Sequence, residues 1–436
     1  MKIIILINLF LIFNTANSEE KSLIDHYLRS RINHYNIRPL KNISKNTNTY
    51  QLILGERLFS DKILSGNKNI SCQTCHNPST GTTDQFPMSQ TTDGKGILKR
   101  NAPALFNLGN DKNFMFWDGR IYYDVINKSF ITPEKDLNGI NPKAGYIVKS
   151  MKSALTAQAL FPMVTNNEMK GEVGENEIAN AKTNLEAWDL IVNRLMTSTQ
   201  DSPNLISYQK LFKLAYPRVA KKEFNIAHIA EAIAAFESEK FQARDTPFER
   251  YLEGHNEAMT NEQKKGLIVF LDQGRCINCH QGSELGNNSL FASVATPQWG
   301  EVPLKLDKGR GDVTKDHSSD YFFRVPSLIN VALTAPYMHN GSLKSLRDVI
   351  NHYDHISKSL YNFKISELQQ KEIPVKIEVI KSPLLLDDIW LSSQRKDTPK
   401  LKNKLFLTGL DKHYLESFLS EALTDSKWVR ESLLPE

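Results

Sequence analysis

All four cysteines of this 436-residue chain are spent on two copies of one pattern. Cys72-Gln73-Thr74-Cys75-His76 and Cys276-Ile277-Asn278-Cys279-His280 are both C-x-x-C-H, the attachment sequence of c-type haem. Two thiols add across the vinyl groups of one haem, and the adjacent His is placed to ligate the iron from one side. No cysteine is left for a disulfide or a free nucleophile. A chance match in so Cys-poor a chain arises roughly once in a thousand, and two matches are far rarer. A thioredoxin-like site would need a βαβ setting, which neither copy has. A zinc site would need finger-like spacing, and the two pairs lie far apart. The chain is expected to fold around two covalently bound haem c groups.

Met1-Lys2, the apolar run Ile3 to Phe13, and Ala16-Asn17-Ser18 before Glu19 have the plan of an export signal over residues 1–18. The run is too short to span a bilayer, and no membrane span is expected elsewhere. Haem c is attached outside the bacterial cytoplasm, so the expected location is the periplasm. Hydrophobic content of 40% and charged content of 24% describe a globular chain. The formal charge of +5 is spread thinly, which argues against nucleic-acid binding. A small basic face for an acidic redox partner stays compatible with it.

Helical periodicity dominates. Thr260-Asn261-Glu262-Gln263 is a capping box opening a helix through Leu271. Ile226, Ile229, Ala230, Ile233 and Ala234 share one helical face, as do Leu415, Phe418, Leu419 and Ala422. A helix is predicted before each haem motif, Tyr50 to Phe59 and Glu262 to Leu271, without obvious sequence repetition elsewhere. Val375 to Ile380 reads as a short strand. Arg244-Asp245-Thr246-Pro247 interrupts the helical pattern and sets a boundary. The predicted units are 19–245 and 246–436. Two stretches, Tyr122 to Ser150 and Ser357 to Lys404, read as elaborations.

The order of short blocks resembles the bacterial di-haem cytochrome c peroxidase and MauG-like family. The blocks are Leu54-Gly55-Glu56-Arg57-Leu58-Phe59, Arg100-Asn101-Ala102-Pro103-Ala104-Leu105, Phe116-Trp117-Asp118-Gly119-Arg120, Asn167-Glu168-Met169, Phe323-Arg324-Val325-Pro326 and Ala335-Pro336-Tyr337-Met338-His339-Asn340-Gly341. They cover most of residues 50 to 355. The resemblance implies an all-α fold of two cytochrome c-like haem domains with irregular loop insertions. The first would be peroxide-reactive and the second would transfer electrons.

Site roles follow from the same resemblance. His76 and His280 would ligate the two irons. Many family members carry a gating His after the first motif, but Asn77 to Leu108 contains none, so the first haem is expected to be open. Tyr353 falls where peroxidases place a Met ligand to the second iron. Its position in phase with Leu343, Leu346, Val349 and Ile350 points it inward. Met338 and nearby His residues are the other candidates. A phenolate favours Fe(III) and higher states, whereas a thioether favours Fe(II). Glu168 matches the distal acid–base residue and Gln158 its hydrogen-bonding partner. Trp117 matches the residue between the haems. Asn101, Thr334 and Pro336 match the ligands of an inter-haem calcium, a cation that suits hard oxygen donors. Arg324 is a candidate partner of a haem propionate.

The expected function is reduction of hydrogen peroxide with electrons delivered through the second haem by a small c-type cytochrome or other periplasmic donor. The alternatives are a MauG-like oxidase, using a high-valent di-haem state to oxidise a protein or organic substrate, and a non-enzymatic di-haem electron carrier. A homodimer is compatible with any of these.

Overall fold

The helix preceding each C-x-x-C-H motif is crossed by a later helix at a glycine. The computed structural model describes residues 20–40, 47–110, 114–198, 206–368, 375–381 and 404–431. The export signal expected at 1–18 lies outside the described residues. Helix Thr49–Ser60 starts at Asn48, whose side chain accepts from the Tyr50 N–H at 2.9 Å. It buries Leu54, Leu58 and Phe59 against helix Ile226–Lys240. At the crossing, a Cβ on Gly55 would stand 2.0 Å from the Ala232 carbonyl oxygen. The second pair repeats this arrangement. Helix Asn261–Leu271 opens with the predicted capping box and crosses helix Gly409–Ser417. There a Cβ on Gly266 would stand 2.0 Å from the Tyr414 carbonyl oxygen. Phe59 meets Phe236 at 5.4 Å and Phe270 meets Phe418 at 5.5 Å, locking each pair.

Gly55→Ala is expected to force these backbones apart and cost about 1–3 kcal/mol. A thermal unfolding scan of the haem-loaded protein measures this. An unchanged melting temperature would mean that the crossing has slack.

One hydrophobic core runs through both halves. The junction between them is pinned. Asp425 accepts from the Arg244 and Asp245 N–H groups, each at 3.0 Å. Trp428 packs on Phe106 at 4.9 Å and donates to the Gln242 carbonyl at 3.0 Å. The helix at 20–34 departs from the order of the chain. Asp25 pairs with Lys264 at 2.8 Å and accepts from Tyr251 at 2.8 Å, and Arg31 pairs with Asp272 at 2.5 Å. These partners follow residue 246, whereas the sequence grouped this helix with the first half. An amphipathic terminal helix carries no local mark of the face it will cover.

The fold is mostly helical, as expected, with small antiparallel sheets added. Phe114–Met115, Ile121–Asp124 and Ser129–Ile131 form a three-stranded sheet that leads into the first elaboration. Asn287–Ala292 pairs with Phe323–Val325. Ile377–Ile380, read from sequence as part of a strand, pairs with Gln298–Glu301. That pairing buries Trp299 in a satellite core with Met88, Ile97, Phe363 and Leu368. The other strands carry too little alternation to register in the sequence.

Candidate haem sites

Each haem motif is wound so that its His presents one nitrogen. In the first, helix Cys72–Cys75 brings the His76 N–H to the Cys72 carbonyl at 3.0 Å. In the second, the turn Cys276–Asn278 brings the His280 N–H to the Cys276 carbonyl at 2.8 Å. His76 Nδ1 donates to the Thr82 carbonyl at 3.2 Å and His280 Nδ1 to the Leu285 carbonyl at 3.0 Å. This fixes the tautomer that leaves Nε2 as the electron-pair donor. Burial lowers both imidazole pKa values, that of His280 to about 4, against the opposing carbonyls of Thr82 and Pro103 at His76 and of Leu285 and Pro326 at His280. Both rings are therefore neutral, the form that ligates iron.

The paired use of Pro103 and Pro326 marks a repeat that the sequence reading passed over. Arg100-Asn101-Ala102-Pro103-Ala104-Leu105 and Arg324-Val325-Pro326-Ser327-Leu328 are related segments.

All four thiols are pushed up to about 12, chiefly by burial. Among the described residues no group of three or more His, Cys, Asp or Glu is arranged to hold a metal ion.

Two cavities open beside these motifs. The first, about 710 Å³, is lined by Cys72, Cys75, His76, Gln158 and Glu168. The second, about 230 Å³, is lined by Cys276, Cys279, His280 and Tyr353. Trp117, Asn101, Arg324 and His339 line both and form the wall between them. Apolar walls, a thiol pair and a neutral imidazole in each cavity fit haem.

Glu168 sits in the single wide turn Asn166–Lys170 and faces the first cavity. Burial raises its pKa against the opposing charges of Arg120 and Arg100. Its acidic neighbours turn elsewhere, Glu175 to Asn67 and Glu177 to Arg194. The Trp117 indole N–H donates to the Asn101 carbonyl at 2.9 Å. Behind it Arg100 bridges Asp307 at 2.6 Å and Asp118 at 2.6 Å, tying the two halves together.

Tyr353 lies on helix Leu346–Asp354, and Leu346, Val349 and Ile350 line the same cavity. Burial raises its pKa, with smaller contributions from the Cys279 and Cys276 thiols. In the absence of a cation the phenol keeps its proton, so only a bound metal ion would draw out the phenolate. Met338 also lines this cavity. His352 turns away, with Nε2 on the Val294 carbonyl at 2.7 Å and Nδ1 on Ser359 at 2.9 Å.

Asn101, Thr334 and Pro336 meet around the second cavity. The Thr334 hydroxyl is committed to the Val331 carbonyl at 3.0 Å. Arg324 is buried, donating from Nε to the Phe116 carbonyl at 3.1 Å.

Two buried groups went unread in the sequence. His339 stacks on Phe323 with ring centroids 3.6 Å apart, and its Nε2 has no hydrogen-bond partner. Glu237 is buried on the wall of the first cavity, one oxygen unpartnered, and burial pushes its pKa up to about 8. It lies in phase with the apolar stripe of its helix, and that misplaced acid was the available signal.

An acid whose folded pKa is raised binds more protons in the folded state, so its stability cost grows with pH. The cost begins above the ordinary carboxylate range and levels off above about 8. Glu237→Gln is expected to raise stability at pH 8 by on the order of a few kcal/mol, and far less at pH 5. Melting temperatures at the two pH values check this. Equal shifts at both would show that Glu237 ionises normally.

The family model described as di-haem cytochrome c peroxidase matches residues 49–257. The cytochrome c551 peroxidase of Pseudomonas aeruginosa is 33% identical over 301 residues, spanning 68% of this chain and 69% of that protein. The methylamine utilization protein MauG of Methylorubrum extorquens is 26% identical, spanning 76% and 78%. A crystal structure of a MauG-like protein associated with microbial copper homeostasis superposes with a TM-score of 0.57 at 23% identity, covering 91% of this chain and 95% of that one. These findings define a haem-dependent oxidoreductase. The chain belongs to the di-haem cytochrome c peroxidase family, which includes MauG.

Proposed function

We propose that this protein is a periplasmic peroxidase that holds one covalent haem c in each half and reduces hydrogen peroxide at the His76 haem. The two halves meet at 245/246, and the helix at 20–34 counts with the second. A small c-type cytochrome would supply the electrons, and Cys276, Cys279 and His280 would hold the haem that receives them. The observation that carries this reading is Glu168, a desolvated carboxyl facing the same cavity as His76.

When bound, the first haem supplies an iron that accepts peroxide, and the second stores or relays electrons. The chain's own residues handle the protons. Glu168 takes the proton from the inner peroxide oxygen and returns it to the outer one, so that water can leave. Gln158 orients the peroxide by hydrogen bonding. Trp117, in the wall shared by both cavities, carries electrons between them. Arg324, buried in the same wall, pairs with a haem propionate. The Asn101 side chain and the Thr334 and Pro336 carbonyls hold calcium at the junction. The Thr334 hydroxyl is already engaged, which supports the use of its carbonyl.

The test is peroxide consumption by the haem-loaded protein with a reduced small c-type cytochrome as donor. Cytochrome oxidation at two electrons per peroxide is expected, and no oxidation would refute the reading. Tyr353, at the position where the family's peroxidases carry a Met ligand, favours a second reading. In it the same site oxidises a protein or organic substrate in the MauG manner.

A further inference from the structure

We propose that the first cavity contains a second compartment, roofed by Trp299, Pro303 and Leu304, that binds a small neutral aromatic reductant of the phenol class. The inference rests on the di-haem peroxidase reading and adds a substrate site to it. On that reading each cavity holds one haem, yet the first measures about 710 Å³ and the second about 230 Å³. Part of the excess is the open face where peroxide would sit, but peroxide needs only about the room of two waters, roughly 60 Å³. The excess in the first is of the size that encloses a small organic molecule.

Its walls suit an aromatic ring. Met88 and Ile97 line it from the first half, and Trp299, Pro303 and Leu304 from the second. The Trp299 N–H is already spent on the Asn340 carbonyl at 3.0 Å, so the indole offers apolar surface. The rim carries both signs, Lys99 and Lys305 against Glu301 and Asp312. Lys99 is itself paired with Asp307 at 3.3 Å and Asp312 at 3.4 Å. Such a rim selects for no net charge.

The roof is fixed by the elaborated segment. Strand Gln298–Glu301 is laddered to Ile377–Ile380, the Val302 N–H reaches the Lys376 carbonyl at 3.0 Å, and the Leu304 N–H reaches Glu378 at 3.2 Å. One role of that segment is then to build a substrate compartment over the peroxide site. Each phenol would give up the electron and proton of its O–H bond. Two phenols and one peroxide break the O–O bond and leave two waters and two phenoxyl radicals.

Binding is tested apart from turnover, with 4-hydroxybenzamide titrated calorimetrically into haem-loaded ferric protein. Saturable binding at one site is expected. Leu304→Trp, which fills the compartment, is expected to weaken it about tenfold or more with the haem absorption spectrum unchanged. Leu304→Ala, which only deletes wall contacts, should weaken it less and serves if the larger side chain disturbs folding. No saturable binding to the wild type, or equal affinity in variants with an unchanged spectrum, overturns the proposal. Peroxide turnover with reduced cytochrome, measured separately, tests the underlying reading. Failure there with binding intact would leave the compartment standing without its peroxidase.

Discussion

Glu168→Gln is expected to lower peroxide turnover by about 10²–10⁴-fold while leaving haem content and melting temperature close to those of the parent. The amide keeps the shape of the carboxyl and cannot carry the proton from one peroxide oxygen to the other. Turnover should also fall on the acid side of the profile, because the working form of Glu168 is the carboxylate. Burial raises its pKa, so this fall should lie above the roughly 4.3 of an ordinary glutamate. The variant should lose that limb along with its rate. Steady-state rates between pH 4 and 8 measure both effects. A variant retaining more than half of the parental rate would remove Glu168 from the mechanism.

Tyr353→Met is expected to produce the largest change at the second haem. Replacing a hard anionic oxygen by a neutral thioether stabilises Fe(II). The reduction potential should rise by on the order of a few hundred millivolts, within the roughly 0.8 V that axial ligands span. Potentiometric titration followed at the haem bands measures this. The variant should then hold an electron at the second haem before peroxide arrives. A potential that does not move would mean that Tyr353 is a cavity-wall residue, and would turn attention to Met338, which lines the same space.

Local chemistry was well written in the sequence. The capping box at Thr260 and Gln263 forms, and helix Ile226–Lys240 follows its apolar stripe. Leu346, Val349, Ile350 and Tyr353 reach one cavity, as their helical phase requires. Leu343 lies outside that helix, in an isolated bridge with Tyr337. Contacts between distant segments were not legible. Gly55 and Gly266 look like weak points in helices until the Ala232 and Tyr414 carbonyls are seen against them. Helix 20–34 gives no sign that Asp25 will meet Lys264. Strand Ile377–Ile380 was visible in outline, but its partner Gln298–Glu301, and hence the roof over the first cavity, was not. Such pairings depend on surfaces that exist only after folding. Glu237 was different, a local signal: an acid in phase with the apolar stripe of its own helix.

We propose that the His76 haem is open to peroxide in the fully oxidised protein and acts together with the His280 haem. The most direct test is to mix the oxidised, haem-loaded protein with one equivalent of hydrogen peroxide and follow its optical and EPR spectra. The expected result is prompt loss of both ferric signals. Ferric spectra that stay unchanged until one haem is reduced beforehand would contradict the claim.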